Sequence, residues 1–153
     1  MLILSRVDFC SALYASLTQK QELRLQRVIN AAFRFSARLS KRDHITPLLV
    51  QHDCLPVHQR VIERILITVF KALRGLSPSL RALLIVNQPA RNLRSSTHNL
   101  LTVPFARTVA GSKASTITSP RLWNALPSEI RNCETLDLFR SQVRSHLRVD
   151  AFY

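Results

Sequence analysis

The amino-acid sequence predicts a mainly α-helical protein, a helical bundle-like domain with a small β-hairpin or irregular arm around residues 98–118. Apolar residues recur with the 3.6-residue period of a helix in several segments. Only 2 of the 153 residues are glycine, and 46% are hydrophobic, which is typical of a globular chain with few left-handed turns. A chain of this length buries roughly 70% of its unfolded surface on folding, so a packed core is expected.

The apolar pattern divides the chain into three regions. Residues 1–88 are a helical subdomain, residues 89–118 a basic Ser/Thr-rich arm, and residues 119–153 a C-terminal helical segment that we expect to pack on the first region. Gly and Pro are scarce within the helical stretches and mark their ends.

Two helices are predicted in the first forty residues. Residues 2–17 carry many apolar side chains and are compatible with a helix. Thr18 is a good N-cap for a longer helix to about Leu39. Its apolar face follows the helical period and consists of Leu25, Val28, Ile29, Ala32 and Phe33.

The strongest helical pattern covers residues 57–74, and we expect this helix at the centre of the core. Gly75 fits the left-handed position after its last turn, and Pro78 is expected to stop any continuation. Pro47 fits an early position in a short preceding helix of about 46–52.

The arm contains two short β-favouring stretches, Leu100–Val103 and Thr116–Thr118, around Gly111. Ser119-Pro120 is typical of an N-cap and first helical position, which predicts a short helix through Leu126. Pro127-Ser128 then starts another short turn, and the last helix is predicted from about Glu134 to Val149.

The charge is strongly positive. The chain has 22 Lys and Arg against 9 Asp and Glu, a formal net charge of +13 and a sequence pI near 11.3. Cationic side chains gain affinity for nucleic acid by releasing the counterions condensed on phosphates, so RNA or DNA is the first expected partner and an anionic membrane surface the second. Most of the cations are Arg, whose planar fork suits phosphate oxygens.

Two groups of cations are predicted to contact nucleic-acid backbone. The first falls opposite the apolar face of the second helix and in the link after it, and the second lies in and beside the arm, where residues 64–128 contain no acid. An ordinary solvated surface is the alternative for both. Phe105 and Trp123 border the arm; base stacking is open for Phe105, whereas core packing is expected for Trp123. The predicted binding residues are Lys20, Arg24, Arg27, Arg34, Arg38, Lys41, Arg42, Arg91, Arg94, Arg107, Lys113 and Arg121.

No catalytic constellation is recognisable. The nine carboxylates include no adjacent pair, and the two glycines could hardly build a phosphate-binding loop. His44, His52, Cys54 and His58 have metal-binding side chains, but their spacing matches no familiar zinc pattern. We therefore expect no metal, cofactor or small-molecule substrate.

The compartment is predicted from the cysteines and the N-terminus. Three cysteines give no disulfide framework, and charged residues interrupt the apolar start before a signal-peptide core could form. No apolar run is long enough to cross a bilayer. An intracellular protein of the cytoplasm or nucleus is expected, not a secreted or membrane protein.

A series of short motifs covers residues 4 to 148 in a specific order. It runs Ser5-Arg6-Val7-Asp8-Phe9-Cys10, Leu25-Gln26-Arg27-Val28, Arg42-Asp43-His44-Ile45-Thr46-Pro47-Leu48-Leu49, Leu55-Pro56-Val57, Phe70-Lys71-Ala72-Leu73-Arg74-Gly75, Leu93-Arg94-Ser95-Ser96, Val103-Pro104, Ser119-Pro120-Arg121-Leu122-Trp123-Asn124-Ala125-Leu126-Pro127 and Phe139-Arg140. As an ordered set, it resembles the C-terminal region of non-LTR retrotransposon reverse transcriptases of the LINE type, the CR1 and jockey-like kind.

The resemblance implies a helical extension that helps to hold template RNA or target DNA near a polymerase active site. The family's catalytic aspartates and endonuclease lie upstream of the resembling region and have no counterpart here, so we expect nucleic-acid binding, contact with the upstream polymerase domain and no enzymatic activity. A protein-interaction module and a non-functional transposon remnant are the alternatives.

Overall fold

The computed structural model describes residues 2–9, 11, 17–82, 84–86 and 99–152. The mainly α-helical fold class is confirmed. The helices in these ranges are α1 Leu2–Asp8, α2 Gln19–Ser36, α3 Thr46–Gln51, α4 Val57–Leu73, α5 Pro78–Arg81, α6 Val109–Ser112, α7 Ser115–Ala125, α8 Ser128–Arg131 and α9 Leu136–Phe152. Helix α1 begins at Leu2 as predicted but ends at Asp8, before the predicted end at residue 17; residues 10 and 12–16 lie outside the described ranges.

Helix α2 begins where the sequence predicts, at a capping box. The Gln21 backbone N–H donates to Thr18 Oγ1 at 3.4 Å, and the Thr18 backbone N–H donates to Gln21 Oε1 at 2.9 Å. The apolar face is narrower than predicted: Ile29 and Phe33 are buried, whereas Val28 is 52% exposed. Val28 is exposed because α2 packs on the core along only one edge of the predicted face.

The end of α2 falls at Ser36, three residues before the predicted end. The Leu39 N–H donates to Arg34 O at 2.9 Å and the Arg38 N–H to Phe35 O at 3.3 Å. Arg38 has φ +53°, the left-handed conformation that closes a Schellman motif. This position usually holds glycine, which the sequence does not provide here.

Helix α4 is the central helix, as predicted, and packs against α2, α5, α7 and α9. Phe70 on α4 stacks on Phe139 of α9 with ring centroids 4.3 Å apart, and Trp123 of α7 lies 5.7 Å from the same ring. Trp123 is only 1% exposed, which confirms that it packs in the core.

Gly75 ends α4 as predicted. It has φ +77°, its N–H donates to Ala72 O at 3.2 Å, and the Leu76 N–H donates to Lys71 O at 2.9 Å. Pro78, which was expected only as a stop, opens the short helix α5, because its missing N–H has no intrahelical partner at that position.

The arm is less β-like than predicted. A single antiparallel bridge joins Val86 to Leu101 in the described part, and Thr116–Thr118 lies in α7 instead of a strand. Ser119-Pro120 is not a helix start either, since α7 begins at Ser115 and contains Pro120. Burial of Ile117 and Trp123 on one side of α7 outweighs the local preference of the threonines and the backbone hydrogen bond lost at Pro120.

Ion pairs join α9 to the chain before α4. Asp53 accepts from Arg144 Nε at 2.7 Å and from Arg148 Nη1 at 3.0 Å, and Arg144 Nη1 also donates to Glu63 at 3.2 Å. Helix α9 starts two residues later and ends three residues later than predicted, and the Leu138 N–H donates to Thr135 Oγ1 at its start.

Candidate nucleic-acid interface

The cations predicted on α2 are presented on its outer side. Lys20, Arg24 and Arg27 are all exposed, at the i, i+4 and i+7 spacing that keeps side chains on one side of a helix. Arg34 continues this row one further heptad along, where it is half-buried. We call these four residues the α2 cationic face.

The link after α2 folds back on this face. Arg34 donates to the Asp43 carbonyl oxygen through Nε at 3.3 Å and Nη2 at 3.1 Å. The Asp43 carboxylate accepts from the Ser40 N–H at 2.6 Å and stabilises the turn between them. The exposed side chains of Arg38, Lys41 and Arg42 are therefore gathered around the C-terminal end of α2.

Several carboxylates of the described part contact cations other than the predicted binding residues. Asp8 pairs with Arg60 and Arg64 of α4, and Asp53 pairs with arginines of α9. Glu22 lies 3.1 Å from His58. Within the described ranges, none of the predicted binding cations forms an ion pair, so these side chains remain available for an anion outside the chain.

The described cations predicted on the arm lie before α6, between α6 and α7, and on α7. Arg107, Lys113 and Arg121 are exposed, whereas Arg91 and Arg94 lie outside the described residues. Among the described side chains, no hydrogen bond or ion pair connects this group to the α2 cationic face.

A cavity of about 160 Å³ lies where α2, α4 and α7 meet. Its wall includes Leu17 and Glu22 near the start of α2, and Thr118 and Leu122 of α7. The cavity is mainly apolar, so it is not itself a phosphate site.

Exposed aromatic and aliphatic side chains accompany the cations. Phe35 is 87% exposed and lies seven residues after the half-exposed Val28 on the outer side of α2, and Phe105 is 88% exposed two residues before Arg107. Sequence reasoning had singled out Phe105 but not Phe35. The spacing from Phe33 could have indicated that Phe35 is exposed. At 100° per residue, the two side chains point about 160° apart around the helix, so burial of Phe33 places Phe35 on the outer side. Both rings are free to stack on an unpaired base.

The histidine and cysteine cluster is dispersed among different partners. His52 lies against the Phe33 ring at 5.8 Å, and Cys54 accepts a hydrogen bond from Arg60 Nη1 at 3.3 Å. Burial raises the pKa of the Cys54 thiol, and nearby Arg60 only partly offsets that effect. In the described part of the chain, no three His, Cys, Asp or Glu side chains are grouped so as to hold a metal ion.

None of the helices in the described ranges combines the length and the apolar character that a membrane span requires.

The comparisons with known proteins give no relative. No protein-family model matches the chain, and no curated protein and no solved structure is significantly similar to it.

Proposed function

We propose that this chain is a nucleic-acid-binding, non-catalytic extension of an RNA-directed DNA polymerase of the LINE type. It holds RNA or DNA through the phosphate backbone and contributes no residue to the polymerase chemistry. The transposon origin rests on the order of the sequence motifs. The binding function rests on the α2 cationic face and the cations around its C-terminal end.

The observation that carries the binding proposal is the lack of internal ion pairs for these cations. A helix with like charges three and four residues apart is destabilised by roughly 0.2–0.5 kcal/mol per pair. Lys20, Arg24 and Arg27 form such a series, and no ion pair within the described residues offsets their repulsion. A polyanion laid along α2 removes this repulsion and releases its own counterions.

The experiment is a fluorescence-anisotropy titration with a labelled RNA hairpin, single-stranded DNA and duplex DNA over a series of salt concentrations. The wild-type chain is compared with a K20A/R24A/R27A variant. This triple change keeps Arg34, whose guanidinium holds the Asp43 loop in place. Each lost phosphate contact lowers the slope of log K against log salt by about 0.7 for single strands and about 0.9 for duplex DNA, so we expect a decrease of about 2–3.

A matched control removes three cations that lie on three different helices, α1, α4 and α9: R6A/K71A/R140A. It makes the same change in net charge, so an effect of total charge alone would reduce the slope equally in both variants. An unchanged slope in the α2 variant, or no binding of the wild type to any of the three nucleic acids at physiological salt, rules out the proposal.

A protein-docking function is the second candidate, and the exposed Leu23, Val28 and Phe35 on α2 favour it. Apolar side chains on the same helix as the cations suit an interface with an apolar centre and a charged rim. A V28D/F35D variant should then lose co-purification with a LINE-type polymerase domain while retaining affinity for RNA. Loss of RNA affinity together with unchanged co-purification would instead assign the two side chains to nucleic acid.

A further inference from the structure

A pocket of about 260 Å³ lies between the end of α4, the bridge at Val86 and helices α7 and α8. Three arginines line it: Arg74, Arg81 and Arg131. Its volume is that of about eight or nine liquid waters at about 30 Å³ each, which is enough for one small hydrated anion. It is remote in sequence from the α2 cationic face.

Arg131 is the unusual member of this pocket. It is only 8% exposed, and its Nε and Nη1 atoms are buried without any hydrogen-bond partner in the described part of the chain. Burial lowers the pKa of its guanidinium. A buried guanidinium without a partner is costly, because the water it has lost is not replaced.

The other two arginines are held in position by backbone carbonyls. Arg81 Nη1 donates to Leu73 O at 2.7 Å, and Arg74 donates to Cys133 O while its guanidinium lies 5.3 Å from the centre of the Phe70 ring. Each guanidinium has more N–H donors than these bonds use. Both side chains therefore retain donors after they have been positioned.

Among the described residues, no carboxylate pairs with these three arginines. None of the described residues that line the pocket is acidic, and the three arginines take part in no ion pair of the described ranges. The segment 87–98, which connects the two sides of the bridge and lies outside those ranges, contains no Asp or Glu in its sequence. The described lining of the pocket is therefore cationic.

We infer that Arg74, Arg81 and Arg131 form a binding site for a phosphate group, separate from the α2 cationic face. Arg forks match the spacing of phosphate oxygens and bind them with charge-assisted hydrogen bonds. Trp123 completes the wall, but its indole N–H already donates to Asn99 O at 2.8 Å. Trp123 is therefore a structural side chain here and not a donor to the ligand.

Isothermal titration of the folded chain with inorganic phosphate, at constant pH and ionic strength, tests the inference. We expect saturable binding at one site that weakens by about tenfold or more in R131M, since a charge-assisted pair is lost. R81M is the second variant: Arg81 is exposed, so its removal does not disturb the core. R140M, an exposed arginine on α9, is the matched control and should bind phosphate like the wild type.

Two oligonucleotides of one sequence, with a 5′-phosphate and with a 5′-hydroxyl, distinguish the sources of the phosphate. A preference for the phosphorylated end that R131M abolishes supports the site and assigns it to nucleic-acid ends. Saturable phosphate binding without that preference supports it as a site for free phosphate. Absence of saturable phosphate binding, or equal binding in wild type, R131M and R81M, overturns the inference. K20A/R24A/R27A leaves this pocket intact, so the two proposals fail independently.

Discussion

Replacing Arg38 by glycine should make the protein more stable and at the same time weaken its binding to nucleic acid. Arg38 closes the Schellman motif after α2 with φ +53°. A left-handed conformation costs a non-glycine residue roughly 1–2 kcal/mol, and glycine loses about 0.5–1 kcal/mol of this advantage through its larger unfolded-state entropy. The net gain expected for R38G is about 0.5–1 kcal/mol in the free energy of unfolding. For a chain of this size, that raises the Tm by roughly 1–4 °C.

Arg38→Ala is the matched control, because it removes the guanidinium but keeps a Cβ in the left-handed conformation. R38A should unfold within about 0.5 kcal/mol of the wild type, whereas both variants should lose about one unit of salt slope in RNA binding. Urea unfolding and the anisotropy titration measure the two effects separately. Equal stability of R38G and R38A would refute the backbone reasoning, and wild-type binding by R38A would refute the phosphate contact.

Three further experiments test the cap of α2, the ion pair between Arg144 and Glu63, and the buried thiol of Cys54. T18A removes the capping box and should lower the free energy of unfolding by about 1 kcal/mol in urea denaturation; a loss indistinguishable from zero would show that α2 is held by packing alone. R144M leaves the Glu63 side chain, which is 9% exposed, without a cation, and should cost about 1–3 kcal/mol after allowance for the partial exposure of the arginine. R144M also loses the contacts of Arg144 with Asp53, so E63Q should offset only the part of that loss that belongs to Glu63, seen as a nonzero coupling energy in a double-mutant cycle; simple additivity would argue against the pair. Burial raises the pKa of Cys54, so iodoacetamide should alkylate this thiol slowly until the pH is above the pKa of an ordinary thiol, about 8.5. Because the folded state holds the thiol proton more tightly than the unfolded state does, the protonated thiol contributes stability below that pH, and this contribution is lost as the pH rises further. Alkylation of the folded chain at neutral pH as fast as that of the unfolded chain would contradict the raised pKa.

The sequence predicted those helix ends that depend only on residues close to them in the chain. Thr18 and Gln21 form the N-terminal box of α2 without help from distant parts of the chain, and Gly75 adopts the left-handed conformation that any helix end favours. The 3.6-residue apolar period of α4 is likewise complete within its own sequence.

Helix α7 was mispredicted because its conformation depends on distant residues. Thr116–Thr118 is β-favouring by itself, and Ser119-Pro120 is a plausible helix start. Contact with α4 buries Trp123, and the earlier start at Ser115 places Ile117 on the same helix, where it is buried too.

For the candidate site, the sequence by itself determined the net charge, the number of cations and their spacing along α2. The tertiary structure decided which carboxylates reach which arginines, because ion pairs such as Asp53 with Arg144 join residues far apart in the chain. It also decided that Phe35 is exposed and that Arg74, Arg81 and Arg131 share one pocket. The physical reason is range: caps, turns and helical periods act over a few residues, whereas burial and charge pairing depend on which helices meet.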